Sequence, residues 1–105
     1  MKRPLVMTLF GTRPEAIKVA PVVRAMRAAT SPLRSFVACT GQHRDLVDDL
    51  LPQLELAADS SLSLMSADQS PQGFCSRAMC AIDVLLDSVE PDLVLVQGDT
   101  TSALA

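Results

Sequence analysis

Leu5-Val-Met-Thr-Leu-Phe-Gly-Thr-Arg-Pro-Glu-Ala-Ile-Lys18 joins two periodicities at one glycine. Leu5 to Phe10 is a nearly unbroken apolar run, the pattern of a strand buried on both faces. Gly11 ends it. From Thr12 the spacing becomes helical, with Val19, Val22, Val23 and Met26 predicted on one face of a helix over residues 12–29. Thr12 and Glu15 have capping-box spacing, with the hydroxyl within reach of the Glu15 amide and the carboxylate of the Thr12 amide. Pro14 falls in the first turn, where a missing N–H is no loss.

The same alternation continues outward. Residues 34–40, containing Phe36-Val-Ala-Cys39, read as a second strand ending at Gly41, and residues 44–51 as a short helix. Leu62-Ser-Leu-Met65 is a candidate third strand. A long helix is predicted over residues 71–89, with Cys75, Ala78, Met79, Ile82, Leu85, Leu86 and Val89 as its apolar face. Ser70 is placed to cap it, Pro71 to open it, and Glu90-Pro91 to stop it. Leu93-Val-Leu-Val96 is a fourth strand, and another helix is expected from Thr100. Apolar strands alternating with helices imply an α/β, Rossmann-like parallel sheet covered on both faces. The usual doubly wound order centres strand one, with strands two and three to one side and strand four to the other. The turns after strands one and four then flank the switch point where such sheets bind ligands.

Composition narrows the function. The 105 residues are one domain at most; 49% are hydrophobic and 20% charged, a globular composition. A net charge of −3 with no Trp or Tyr disfavours nucleic acid as a partner. Cys39, Cys75 and Cys80 fit no usual zinc spacing, so no metal is expected and each reads as a small buried apolar residue. The short N-terminal apolar run suits neither a signal segment nor a membrane span, which makes the cytoplasm the expected location.

Two junctions carry the chemistry. At the first, Arg13 sits in the helix cap and Lys18 about one turn further, both suited to an anion such as a sugar phosphate at a helix N-terminus. A well-capped helix with two surface cations explains the spacing equally well. At the second, Gly98-Asp-Thr-Thr-Ser102 places a carboxylate, Asp99, at a strand end before hydroxyls including Thr100. Asp99 either caps the next helix or faces Arg13 and Lys18 across the switch point. His43, in Thr40-Gly-Gln-His-Arg44, is the only histidine, and no serine or cysteine arrangement marks it as a triad base. The glycines form neither G-x-G-x-x-G nor a Walker-type loop, which disfavours dehydrogenases and kinases.

Phe10-Gly-Thr-Arg-Pro-Glu-Ala-Ile-Lys18, Ala20-Pro-Val-Val-Arg24, Thr40-Gly-Gln-His-Arg44 and Pro91-Asp-Leu-Val-Leu-Val-Gln-Gly-Asp-Thr-Thr101, taken in order, resemble the non-hydrolysing UDP-N-acetylglucosamine 2-epimerases. The resemblance implies residues 1–105 as a truncated N-terminal Rossmann-like domain of a two-domain, GT-B-type enzyme, with the nucleotide-binding domain absent. It implies an isomerase converting UDP-N-acetylglucosamine to UDP-N-acetylmannosamine by eliminating and re-adding UDP, without a cofactor. Arg13 and Asp99 are then catalytic, and Arg13, Lys18, Asp99 and Thr100 bind substrate. Gln42, His43 and Gln69 match a region that holds an allosteric second UDP-N-acetylglucosamine in some bacterial members. Residues 66–71 depart from the pattern, since many members carry a Gly-containing turn there. The proton-transferring carboxylates are expected beyond Ala105, leaving this chain inactive alone. A homodimer is expected at full length, serving cell-envelope polysaccharide synthesis with no membrane contact. The alternatives are a hydrolysing epimerase, a GT-B glycosyltransferase, or a non-catalytic flavodoxin- or receiver-like interaction domain. A receiver, however, would want acidic residues where Arg13 stands.

Overall fold

The computed structural model describes residues 3–28, 30–40, 50–54, 58–62 and 70–97. In chain order the elements are β1 (Leu5–Phe10), α1 (Arg13–Arg27), β2 (Arg34–Cys39), α2 (Leu51–Gln53), β3 (Ser60–Ser61), α3 (Pro71–Val89) and β4 (Leu93–Val96). The four strands form one parallel sheet in the order β3-β2-β1-β4. Strand one is therefore internal, and the chain crosses it between β3 and β4. That is the doubly wound arrangement expected of the sequence.

Alternation along the strands gives the sheet two packed faces. Val6 and Phe10 of β1 and Val37 and Cys39 of β2 lie under α1, whose Ala16, Val19, Ala20, Val23 and Met26 close that face. Met7, Leu9 and Ala38 point the other way, against Phe74, Ala78 and Ile82 of α3. Phe10 is 1% exposed and Val23 fully buried. Truncating Phe10 to Ala would therefore remove about 3–5 kcal/mol of packing.

Both helices turn slightly from their expected phase. Val22 is 45% exposed and Met79 is 56% exposed. Phe74 takes the buried place at the start of α3, where the sequence pattern put Cys75. Cys75 is only half-buried and Cys80 is exposed, so Cys39 alone among the cysteines is a core residue. Ser70 caps α3 as expected, its Oγ accepting the Gly73 amide at 2.9 Å. The helix ends at Glu90, whose φ of 51° and ψ of 58° place it in the left-handed region. The following Pro91 cannot continue a helix.

The third strand differs from expectation. It is Ser60–Ser61, pairing with Ala38 and Cys39, and Leu62 follows it with its amide on the Cys39 carbonyl at 2.8 Å. Residues 63–65 of the expected strand, and residues 44–49 of the expected short helix, lie outside the described residues. What holds two serines in a sheet is the residue before them. Asp59 donates its amide to the Val37 carbonyl at 2.8 Å and accepts the Val37 amide on Oδ2 at 2.7 Å. No described helix is long and apolar enough to cross a membrane.

Candidate active site

Parallel registry brings the ends of β1 and β4 to one rim. Leu9 pairs with Val96, so β1 and β4 run side by side and release the chain at Gly11 and at Gln97 on the same edge of the sheet. Because β2 and β3 lie on the far side of β1, the gap between β1 and β4 is the topological switch point.

At Gly11 the backbone is held by Glu15. Its Oε1 accepts the Gly11 amide at 2.8 Å and the Thr12 amide at 3.1 Å, and the residue is 3% exposed. Charge-assisted bonds of this kind are about twice as strong as neutral ones. The carboxylate also complements the positive end of α1. Thr12 and Glu15 occupy the two positions of a capping box. Thr12 Oγ1 stands in the box position toward the Glu15 amide, but makes no hydrogen bond and is buried without a partner. The bond to Gly11 was not visible in the sequence, because capping-box spacing predicts only the Thr12 contact.

Arg13 is the first residue of α1, and both it and Lys18 are exposed. Neither makes a hydrogen bond or ion pair among the described residues. Five helical steps separate them, so their Cα–Cβ directions diverge by about 140° around the axis. They do not stack on one face. Helical side chains lean toward the N-terminus, so Lys18 inclines back toward the first turn and the two cations flank the helix end from different sides. Asp99 and Thr100, and the allosteric candidates Gln42, His43 and Gln69, lie outside the described residues. Among the described residues no group of His, Cys, Asp and Glu is arranged to hold a metal.

The assembled features are a topological switch point, an orphan hydroxyl, and two cations at a helix N-terminus that have no partner among the described residues. Such an arrangement can receive a phosphorylated ligand. The family profile described as UDP-N-acetylglucosamine 2-epimerase matches residues 25–105. A UDP-N-acetylglucosamine 2-epimerase of Bacillus subtilis is 41% identical over 105 residues, all of this chain and 27% of that protein. The crystal structure of the Neisseria meningitidis UDP-GlcNAc 2-epimerase bound to UDP-GlcNAc superposes with a TM-score of 0.83 at 41% identity, covering 94% of this chain and 26% of that one. The Methanocaldococcus jannaschii enzyme in complex with UDP-GlcNAc and UDP does so at 0.82 and 27% identity, over 93% of this chain and 27% of its own. The chain thus spans about a quarter of these relatives, and its sheet is a part of their GT-B-type fold. With the profile matched over most of its length and the fold matched at a TM-score of 0.83, the chain belongs to the UDP-N-acetylglucosamine 2-epimerase family.

Proposed function

We propose that this chain forms the N-terminal part of an active site that inverts C2 of UDP-N-acetylglucosamine to give UDP-N-acetylmannosamine. The observation that carries the reading is the Arg13 guanidinium at the end of β1, without a partner among the described residues and next in the chain to the orphan Thr12 hydroxyl, in a member of this family. The C2 proton is not acidic, because C1 is an acetal carbon and not a carbonyl. Inversion therefore begins with elimination: the C2 proton leaves to a base, the C1–O bond to UDP breaks, and a glycal forms. UDP then adds back at C1 while a proton arrives at C2 from the opposite face. Elimination and re-addition of UDP involve no hydride transfer, so this route needs no redox cofactor.

Charge gathers on the diphosphate as the C1–O bond breaks, and a positioned cation lowers that barrier. Arg13 takes this role, and Lys18 helps hold the diphosphate. Asp99 orients the sugar or Arg13, with Thr100 adding a hydroxyl contact. Gln42, His43 and Gln69 form the candidate contacts for an activating second UDP-N-acetylglucosamine. The base and the nucleotide-binding domain belong to sequence beyond residue 105, so the 105 residues alone are inactive. The whole enzyme is a cytoplasmic homodimer supplying cell-envelope polysaccharide synthesis.

Proton NMR of a longer polypeptide carrying this sequence, incubated with UDP-N-acetylglucosamine in D2O, tests the reading. UDP-N-acetylmannosamine deuterated at C2 is expected, and Arg13→Ala lowers kcat by about 10²–10³-fold. Free N-acetylmannosamine as the product would reassign the chain to a hydrolysing enzyme, and full activity in Arg13→Ala would remove that residue from the mechanism.

A further inference from the structure

The opposite rim of the sheet carries a second basic site. Arg3 precedes β1, Arg34 opens β2 and Arg27 ends α1; together with Met26, Ala28, Leu33 and Ser35 they line a cavity of about 380 Å³. That volume lies within the range of small-molecule sites, roughly 300–1,000 Å³. Two of the arginines are tied together by the backbone. Arg34 Nε donates to the Arg3 carbonyl at 2.9 Å, and Arg3 Nη1 donates to the Ser31 carbonyl at 3.1 Å. These bonds fix the two guanidinium groups at the cavity while using one N–H of each, and neither arginine has a carboxylate partner among the described residues. Arg27 is different, because it is ion-paired with Asp59 at 2.8 Å. Ser35 Oγ, also at the cavity, is buried and makes no hydrogen bond. Stability does not require two adjacent cations without counter-charge, and an anion between them would supply what is missing. Guanidinium forks match the oxygen spacing of phosphate, while Met26, Ala28 and Leu33 offer apolar surface to the group that carries it.

We propose that this cavity binds a small phosphate-bearing anion, held by Arg3 and Arg34. The site is distinct from the one at Arg13. β1 alone separates the two rims by about 20 Å.

Isothermal titration of the chain at low salt with inorganic phosphate, glycerol phosphate and acetate tests the proposal. With the titration run on Arg13→Gln, which removes the switch-point cation, saturable binding of phosphate or glycerol phosphate is expected at about 1 mM or tighter, weakened roughly tenfold or more when Arg34→Gln is added. Tighter binding of glycerol phosphate than of phosphate identifies a phosphomonoester as the ligand, and equal binding identifies free phosphate. Acetate binding as tightly as phosphate overturns the ligand class. An affinity unchanged when Arg34→Gln is added, or no saturable binding in Arg13→Gln, overturns the site. Should Arg34→Gln lose its far-UV circular dichroism, Arg3→Gln carries the same expectation.

Discussion

Asp92 grips both backbone polar groups of Leu5: its amide donates to the Leu5 carbonyl and its carboxylate Oδ2 accepts the Leu5 amide, at 2.8 and 2.7 Å. The device matches Asp59 on Val37. In each case an aspartate just before an outer strand docks onto the neighbouring inner strand and sets its register. A one-residue slip would turn every side chain of that strand to the wrong face, so the two clasps decide which residues become core.

Removing either clasp should weaken the sheet measurably. Asp92→Ala is expected to lower stability by about 1–2 kcal/mol, since one charge-assisted bond is lost at an exposed position. Asp59→Ala should cost somewhat more, because the partly exposed ion pair with Arg27 goes with it, itself worth less than about 1 kcal/mol. The two sites lie at opposite edges, so the double variant should be additive to within about 0.5 kcal/mol. Urea unfolding of the three variants measures this, and strong non-additivity would mean that β3 and β4 do not dock independently.

Glu15 should prove the most sensitive residue of the first junction. Glu15→Ala strips the Gly11 and Thr12 amides of their acceptor in a buried turn, a loss of about 2–4 kcal/mol. Glu15→Gln keeps an acceptor but not its charge, and should lose roughly half as much. Melting temperatures order the three proteins. Equal stability of Glu15→Ala and wild type would show that the turn holds without the carboxylate.

Thr12→Val separates folding from ligand contact. The hydroxyl makes no hydrogen bond, so replacing it with a methyl group should leave stability within about 0.5 kcal/mol or raise it slightly. In a longer polypeptide carrying this sequence, UDP-N-acetylglucosamine should bind less tightly, with KM rising more than kcat falls. An unchanged KM would mean that the orphan hydroxyl never meets substrate.

How much of this was legible follows from where the causes lie. The apolar run Leu5–Phe10 has one reading, because six residues of that kind ending in a glycine can only be a short buried strand here. The long helix was legible from Ser70 to Glu90 for the same local reasons, although its exact phase was not. Phe74 displaced Cys75 because the larger side chain fills the space beside Met7 and Leu9. Ser60–Ser61 was invisible as a strand, since a distant backbone and one aspartate hold it there, not its own propensity. At the site, Arg13 and Lys18 stood out as cations at a helix start. The double grip of Glu15 and the orphaned Thr12 hydroxyl did not, because both depend on the path of the turn in space.

The outer strand β4 yields the last prediction. Its register with Met7 and Leu9 should bury Val94 and Val96, yet they are 41% and 44% exposed, and Leu93 is 59% exposed. Among the described residues only β1 pairs with β4, so its other edge presents amides and carbonyls without a described partner, flanked by apolar side chains. Such an edge templates further strand addition. The 105-residue chain should therefore self-associate, with a weight-average mass in sedimentation that rises with concentration. Val94→Lys should reverse this, because a charge on the edge blocks pairing while little burial is lost. If Val94→Lys associates as strongly as the wild type, a surface other than β4 holds the copies together. A wild-type chain that stays monomeric and unfolds cooperatively would show that the edge is tolerated bare.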